Sequence, residues 1–208
     1  MKIYDISMEI YDDMMVYKNK PEKKPKIEVV QDFVSGDSYE SIITMGMHTG
    51  THIDAPLHMI KDGETTESIP LESCIRKCKV IDFTDISDKI TREVLQQKEI
   101  YEGDFILFKT KNSFSPEFDF EFVYLEKSGA EYLDEIGVLG VGIDALGIER
   151  AQAGHETHKI LLSKGIVIIE GLQLKDVPEG EYTLYALPLK IRNVEAAPVR
   201  AVLVEEIA

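Results

Sequence analysis

Basic charge is scarce in this sequence. It has 23 lysines and arginines against 38 aspartates and glutamates, a net charge of −15. So acidic a surface repels phosphate backbones, which argues against nucleic acid as a partner. Cysteine is sparse too: Cys74 and Cys78 are the only two, spaced C-x3-C. Zinc would need two more ligands nearby, and no further cysteine or histidine follows within twenty residues. The pair reads as reduced thiols in a cytosolic protein. Long apolar runs are missing, and nothing approaches the roughly 18 residues of a membrane span. The first residues, MKIYDISMEIYDD, carry acids and no apolar run, so neither a signal peptide nor a membrane partner is expected, and the location expected is cytoplasmic.

The 208 residues are 44% apolar and 29% charged, ordinary for a globular chain able to build a core. One domain over 1–208 is expected. Strand-like runs dominate: KIYDISMEI, IEVVQDF, YESIITMGM, KVIDF, DFILFKT, GVLGVGI, GIVIIEGL, TLYALPLKI and RAVLVEE mix β-branched and aromatic residues between turn residues. Helical patterns are fewer. TREVLQQKEI (91–100) has Thr91 as an N-cap candidate. SGAEYLDEIG (128–137) reads as a capping box, Ser128 with Glu131, stopped by Gly137. ETHKILLSKG (156–165) also ends on glycine. The fold class expected is α/β, sheet-rich, with mixed strand pairing. KNKPEKKPK (18–26) reads as a basic, proline-broken loop, solvated or flapping over a site.

All five histidines lie in two short windows: His48, His52 and His58 in HTGTHIDAPLH, and His155 and His158 later. Scattered surface histidines would not bunch in this way, and imidazole is the commonest metal ligand. Thr49, Gly50, Thr51 and Pro56 oppose a helix over 48–58. A straight strand would set His48 and His58 roughly 33 Å apart, too far for one metal. The chain must bend, and Gly50 is the natural place. A bend there lets His48, His52 and Asp54 converge, with His58 beyond Pro56 placed for acid/base work beside a metal. The alternatives are a surface loop and a structural zinc site, although structural sites favour cysteine.

Glu170 stands inside the apolar run GIVIIEGLQL (165–174). A carboxylate in a buried strand takes up a proton or finds a cation; otherwise it faces solvent at an edge or pairs with Lys164 or Lys175. His158 begins an apolar face with Leu161 and Leu162 and should point inward more than His155. Asp144 reads as a cap rather than a partner of a histidine.

These residues carry a resemblance. The chain resembles the cyclase-like metal-dependent hydrolases, which include kynurenine formamidase (arylformamidase) and isatin hydrolase. H-T-G-T-H-x-D-A-P-x-H is met without a gap by 48–58, and DGETTESIPLE, GVGID, HKILLSKGIVIIEGLQL and LPLKIRNVEAAPVRAVL look like the family's later blocks. The resemblance implies that His48, His52 and Asp54 bind one metal, with Asp54 bridging to a second. It implies that His158 holds the second, and that Glu170, twelve residues on, bridges both. It assigns His58 as the proton donor and acceptor and Tyr17 as an aromatic substrate contact. Two divalent ions follow, zinc or manganese, on a swivelling β/β/α fold and in a homo-oligomer, a dimer or tetramer. Where the formamidases carry a P-G-D turn this chain has K-N-K, Lys18 to Lys20. The small-molecule substrate expected is an aryl formamide such as N-formylkynurenine. A cyclic amide or imide, as in isatin hydrolase, is the alternative. A non-catalytic metal-binding protein and an oxygenase built on His48, His52 and Asp54 complete the set.

Overall fold

In the computed structural model, which describes residues 1–205, every strand-like run of the sequence holds a strand. In chain order these are β1 (Lys2–Asp5), β2 (Lys26–Gln31), β3 (Glu40–Thr44), β4 (His52–Asp54), β5 (Ile75–Asp82), β6 (Lys89–Ile90), β7 (Phe105–Lys109), β8 (Tyr124–Leu125), β9 (Gly140–Ile143), β10 (Val167–Glu170), β11 (Gly180–Pro188) and β12 (Ala196–Glu205). The helices are α1 (Leu71–Cys74), α2 (Arg92–Leu95), α3 (Lys127–Ile136) and α4 (Glu156–Ser163). Among the described residues no helix is long and apolar enough to cross a membrane.

Seven strands close on themselves in the order β12-β11-β5-β7-β9-β10-β4, because β4 pairs with both β10 and β12. The run β5-β7-β9-β10 is parallel and the other pairings are antiparallel, with β1 added outside β12. This mixed α/β barrel matches the sheet-rich class expected. Period-two alternation sorts the strands' side chains. Ile53, Phe105, Leu107, Ile169, Leu184 and Leu203 form one buried cluster on one face. Ile106, Phe108 and Ile168 face the other way, into a second cluster with Leu133 of α3 and Leu161 of α4. Each such fully buried side chain contributes roughly 1.5–3 kcal/mol.

The helices differ in detail from the sequence pattern. In α3 the cap is Glu126, whose carboxylate accepts from the Ser128 N–H at 2.9 Å, so the helix starts ahead of Ser128. A full charge at the N-terminus serves the helix dipole better than a hydroxyl. Gly137 ends it as expected, at φ 84°. Only Arg92–Leu95 of 91–100 is helical, and Thr91 Oγ1 donates to Glu93 instead of capping. The residues buried there are Ile90, Leu95 and Ile100. Their spacing of five does not make a stripe on a helix of 3.6 residues per turn.

Asp144, just past β9, is buried and caps a turn rather than a histidine. It accepts from the N–H and hydroxyl of Thr110 at 2.8 and 2.7 Å, and from those of Ser113 at 3.1 and 2.6 Å. Burial pushes its pKa up to about 6 against those four donors. Asp144→Ala leaves two buried backbone donors without their acceptor. A loss of about 2–4 kcal/mol in urea unfolding is expected; a loss below about 0.5 kcal/mol, typical of surface changes, would contradict this role.

Candidate metal centre

The histidine-rich segment is not one element but a bend, a short strand and a turn. Gly50 takes the left-handed φ of 65° and turns the chain into β4. Gly171, at φ 71°, lies so close that a Cβ on it would stand 2.5 Å from the Gly50 carbonyl oxygen. The two glycines let the bend dock onto the end of β10. Thr51 fastens it, donating from Oγ1 to the Gly171 carbonyl at 2.6 Å and accepting the Met8 N–H at 2.8 Å. After β4, the turn Pro56–His58 folds His58 back toward His48.

Alternation along β4 buries Ile53 in one core cluster and sets His52 and Asp54 on the opposite face. Register then brings in Glu170: it is the partner of His52 across the β10–β4 ladder, and Ile168 is the partner of Asp54. The α4 helix delivers His158 to the same place.

Four ligand atoms succeed one another at close range. His48 Nδ1 and His52 Nε2 are 3.0 Å apart. Asp54 Oδ1 lies 3.1 Å from the first and 3.6 Å from the second, and Glu170 Oε2 lies 3.4 Å from His52 Nε2. The other carboxylate oxygens turn to a second point: His158 Nε2 is 3.7 Å from Asp54 Oδ2 and 3.2 Å from Glu170 Oε1. Each acid thus directs one oxygen to each side. His52 Nδ1 donates to the Gly50 carbonyl at 2.9 Å, which leaves Nε2 as the free lone pair.

Both oxygens of Asp54 are buried and accept no hydrogen bond. Ring nitrogens approach them without hydrogen-bond alignment. Buried acids in folded proteins are paired or bind a cation, because an uncompensated charge there is costly. The neighbours respond to the same need. Burial disfavours the His158 imidazolium, yet the carboxylates of Glu149, Glu170 and Asp54 outweigh it and raise the pKa to about 10. Burial likewise opposes ionised Glu170, but His158 and His52 hold it well below the usual carboxylate range. Three donor sets have ligand atoms within 4.8 Å of one another and could hold a metal ion: His52, Asp54 and Glu170; His48, Asp54 and His58; and Glu149, His155 and His158. Imidazole and carboxylate donors suit zinc or manganese, and the buried Asp54 oxygens without a hydrogen bond fit a divalent ion.

A cavity of about 500 Å³ opens beside these groups, lined among others by Tyr17, His48, His58, His158 and Glu170. The His58 ring centroid stands 4.1 Å from that of His48 and 5.5 Å from that of His158. Burial lowers the His58 pKa. Tyr17 is half-buried and sits edge-on to Phe118, 5.3 Å between centroids. Of the seven residues singled out from the sequence, Tyr17, His48, His58, His158 and Glu170 line this cavity, and His52 and Asp54 lie against His48 and Glu170. The basic stretch contributes Lys18, Glu22 and Lys23 to that wall. His155 is exposed, and its side chain turns to Glu149 at 2.7 Å.

Glu149 is the residue that sequence reasoning missed. It is buried, accepts the Thr157 N–H at the start of α4 at 3.0 Å, and lies 3.0 Å from His158 Nδ1. One carboxylate thus caps the helix and lies at ion-pair distance from the ring that the helix carries, whose Nδ1 accepts or donates no aligned hydrogen bond. Its only trace in LGIERAQAGHETH is an acid between two glycines, which no periodicity distinguishes. Glu195, 3.5 Å from His48 Nε2, gave no signal either.

The family described as Putative cyclase matches residues 4–150. A kynurenine formamidase of Salinibacter ruber is 38% identical over 164 residues, which are 77% of this chain and 77% of that protein. A solved structure described as a potential metal-dependent hydrolase with cyclase activity is 53% identical, superposes with a TM-score of 0.92, and covers 97% of this chain and 96% of its own. Isatin hydrolase A from Labrenzia aggregata, at 24% identity and a TM-score of 0.81 over 99% of this chain and 94% of its own, shares the fold. The chain belongs to the putative cyclase family.

Proposed function

We propose that the protein is a metal-dependent hydrolase of an amide C–N bond, acting on aryl formamides of the N-formylkynurenine type. The observation that carries this reading is the buried, unsatisfied carboxylate of Asp54 between two sets of histidines. In it His48, His52, Asp54 and Glu170 hold one divalent cation, and Asp54, His158 and Glu170 hold a second, zinc in the first instance and manganese as the substitute. Such a pair makes water nucleophilic at neutral pH and polarises a carbonyl.

The chain's own groups do the rest. Glu149 lies 3.0 Å from His158 Nδ1, on the side away from Nε2, which faces Asp54 and Glu170. His58, between His48 and His158 on the cavity wall, accepts the proton released on attack and returns it to the leaving nitrogen, since an amide anion leaves poorly. Tyr17 offers a ring for the substrate's aromatic body. The similarity to a kynurenine formamidase at 38% identity favours a formamide over the cyclic imide, because the isatin hydrolase likeness speaks to fold alone. The complete set of groups beside an open cavity favours an enzyme over a metal-storage role. The second site at His158 favours two metals over an oxygenase's one. Cys74 and Cys78 are buried and unpaired, which suits the reducing cytoplasm.

The β2–β3 hairpin supports a homodimer. Val29, Val30, Phe33, Val34, Ile42 and Ile43 are 48% to 96% exposed. A lone two-stranded hairpin is marginal in water. Its apolar surface, on the order of several hundred Å², approaches the ~800 Å² per partner of a standard interface. A second copy, presenting the same surface by two-fold symmetry, is the occupant.

After reconstitution with zinc, His58→Ala should keep about two metals per chain and lose at least ~100-fold in formylkynurenine turnover. Asp54→Ala should lose both metal and activity. Elemental analysis beside the assay decides: a metal-free His58 variant with a fully active Asp54 variant would reverse these roles. Sedimentation velocity should find the native chain dimeric and the Val29→Asp/Ile43→Asp variant monomeric, whereas a monomeric native chain at micromolar concentration removes the hairpin interface.

A further inference from the structure

Glu149, His155 and His158 form a cluster that the proposed reaction does not use as a whole. Glu149 turns its two oxygens in different directions. Oε2 accepts the Thr157 N–H at 3.0 Å and the Gln152 side-chain amide at 2.8 Å, which pins the carboxylate to the start of α4. Oε1 is left to two imidazoles, with His155 Nδ1 at 2.7 Å and His158 Nδ1 at 3.0 Å. His158 is only 5% exposed, and its Nδ1 has no aligned hydrogen-bond partner. A buried ring nitrogen that faces a carboxylate without a hydrogen bond is a polar group still in need of a partner. His155 stands at the N-cap position of α4, yet its side chain makes no capping bond and turns to Glu149 instead.

The ligand atoms of the three residues lie within 4.8 Å of one another. Donors about 2 Å from a tetrahedral zinc stand roughly 3.3 Å apart, so the gaps to Oε1 need to open by only roughly 0.3–0.6 Å. His155, with 57% of its side chain exposed, can give that way. All three residues line the cavity of about 500 Å³, so an ion reaches them from solvent. The cavity wall also draws cations: Glu22, Glu149, Glu170 and Glu195 stand there against Lys18 and Lys23.

We propose that Glu149 Oε1, His155 Nδ1 and His158 Nδ1 bind a further divalent cation of the zinc type, which inhibits the enzyme when metal is in excess. Protons displaced from the ring nitrogens pass to solvent. Binding at this cluster stands on its own. Its inhibitory effect rests on the hydrolase reading, in which His158 Nε2 serves the second cation of the centre. The two nitrogens of one ring then face two cations, and like charges held so close repel. The further ion therefore weakens the second cation of the centre, and it binds less tightly than either ion there.

The test dialyses the zinc-loaded full chain to equilibrium against rising free zinc and counts bound metal by elemental analysis. The native chain should take up one ion beyond the two of the centre, and His155→Ala should need at least ~10-fold more zinc to do so. Equal uptake by both proteins marks an adventitious ion only and overturns the site, as does no further uptake by the native chain. Formylkynurenine turnover is then followed over the same zinc range, each protein against its own rate with two ions bound. Excess zinc should slow the native enzyme, and the midpoint of inhibition should rise at least ~10-fold in His155→Ala. Equal inhibition of both proteins, or none in the native enzyme, overturns the inhibitory role. If the native chain hydrolyses no formylkynurenine at any zinc concentration, the hydrolase reading fails instead, and metal uptake still decides the site.

Discussion

The Asp54 carboxylate is buried and without a hydrogen bond, and the arrangement around it follows from that demand. β4 is only three residues long, yet it is held on both edges, by β10 and by β12, so Asp54 cannot turn away to water. The same ladder fixes Glu170 across from His52. Two acids in one desolvated space repel each other unless positive charge lies between them. The histidines close that space from two sides, His48 and His52 from the bend and His158 from α4. Glu149 and the Gly50 carbonyl orient the rings from behind. A site so supported belongs to preorganised chemistry rather than to a loop that orders on binding.

The barrel and the site divide their labour by side-chain parity. Odd-numbered Ile53 and Ile169 join one apolar cluster, while even-numbered His52, Asp54 and Glu170 face the opposite side. A slip of one residue in either strand would bury imidazole and carboxylate among aliphatic side chains and expose isoleucine to the cavity. The core therefore specifies the register, and the register sets the distances of the site. The basic turn after Tyr17 stands outside this constraint. Residues there can change without shifting the ladder that sets the site.

Much of this was legible in the sequence. The even spacing of His52 and Asp54, the bend required at Gly50, the anomalous acid in GIVIIEGLQL and the inward lean of His158 are local facts, and local facts survive folding. The convergence of the two histidine windows was not local. It depends on β4 closing the barrel, a pairing between residues over a hundred positions apart, and it became visible only through family resemblance. Glu149 stayed hidden because capping and ring orientation are tertiary duties with no period of their own. The early start of α3 and the brevity of α2 have a similar cause. A carboxylate two residues upstream outcompeted the serine cap, and burial at Ile90, Leu95 and Ile100 overrode helix propensity. The apolar hairpin read as ordinary strands, since sequence pattern does not reveal what covers a strand.

The most direct test of the central claim is anomalous diffraction at the metal edge from crystals of the zinc-loaded chain. Two peaks per chain are expected on either side of the Asp54 carboxylate, one bounded by His48, His52 and Glu170 and the other by His158 and Glu170. A loaded crystal with no peak within coordination distance of Asp54, its oxygens instead hydrogen-bonded to protein or water, would contradict the claim.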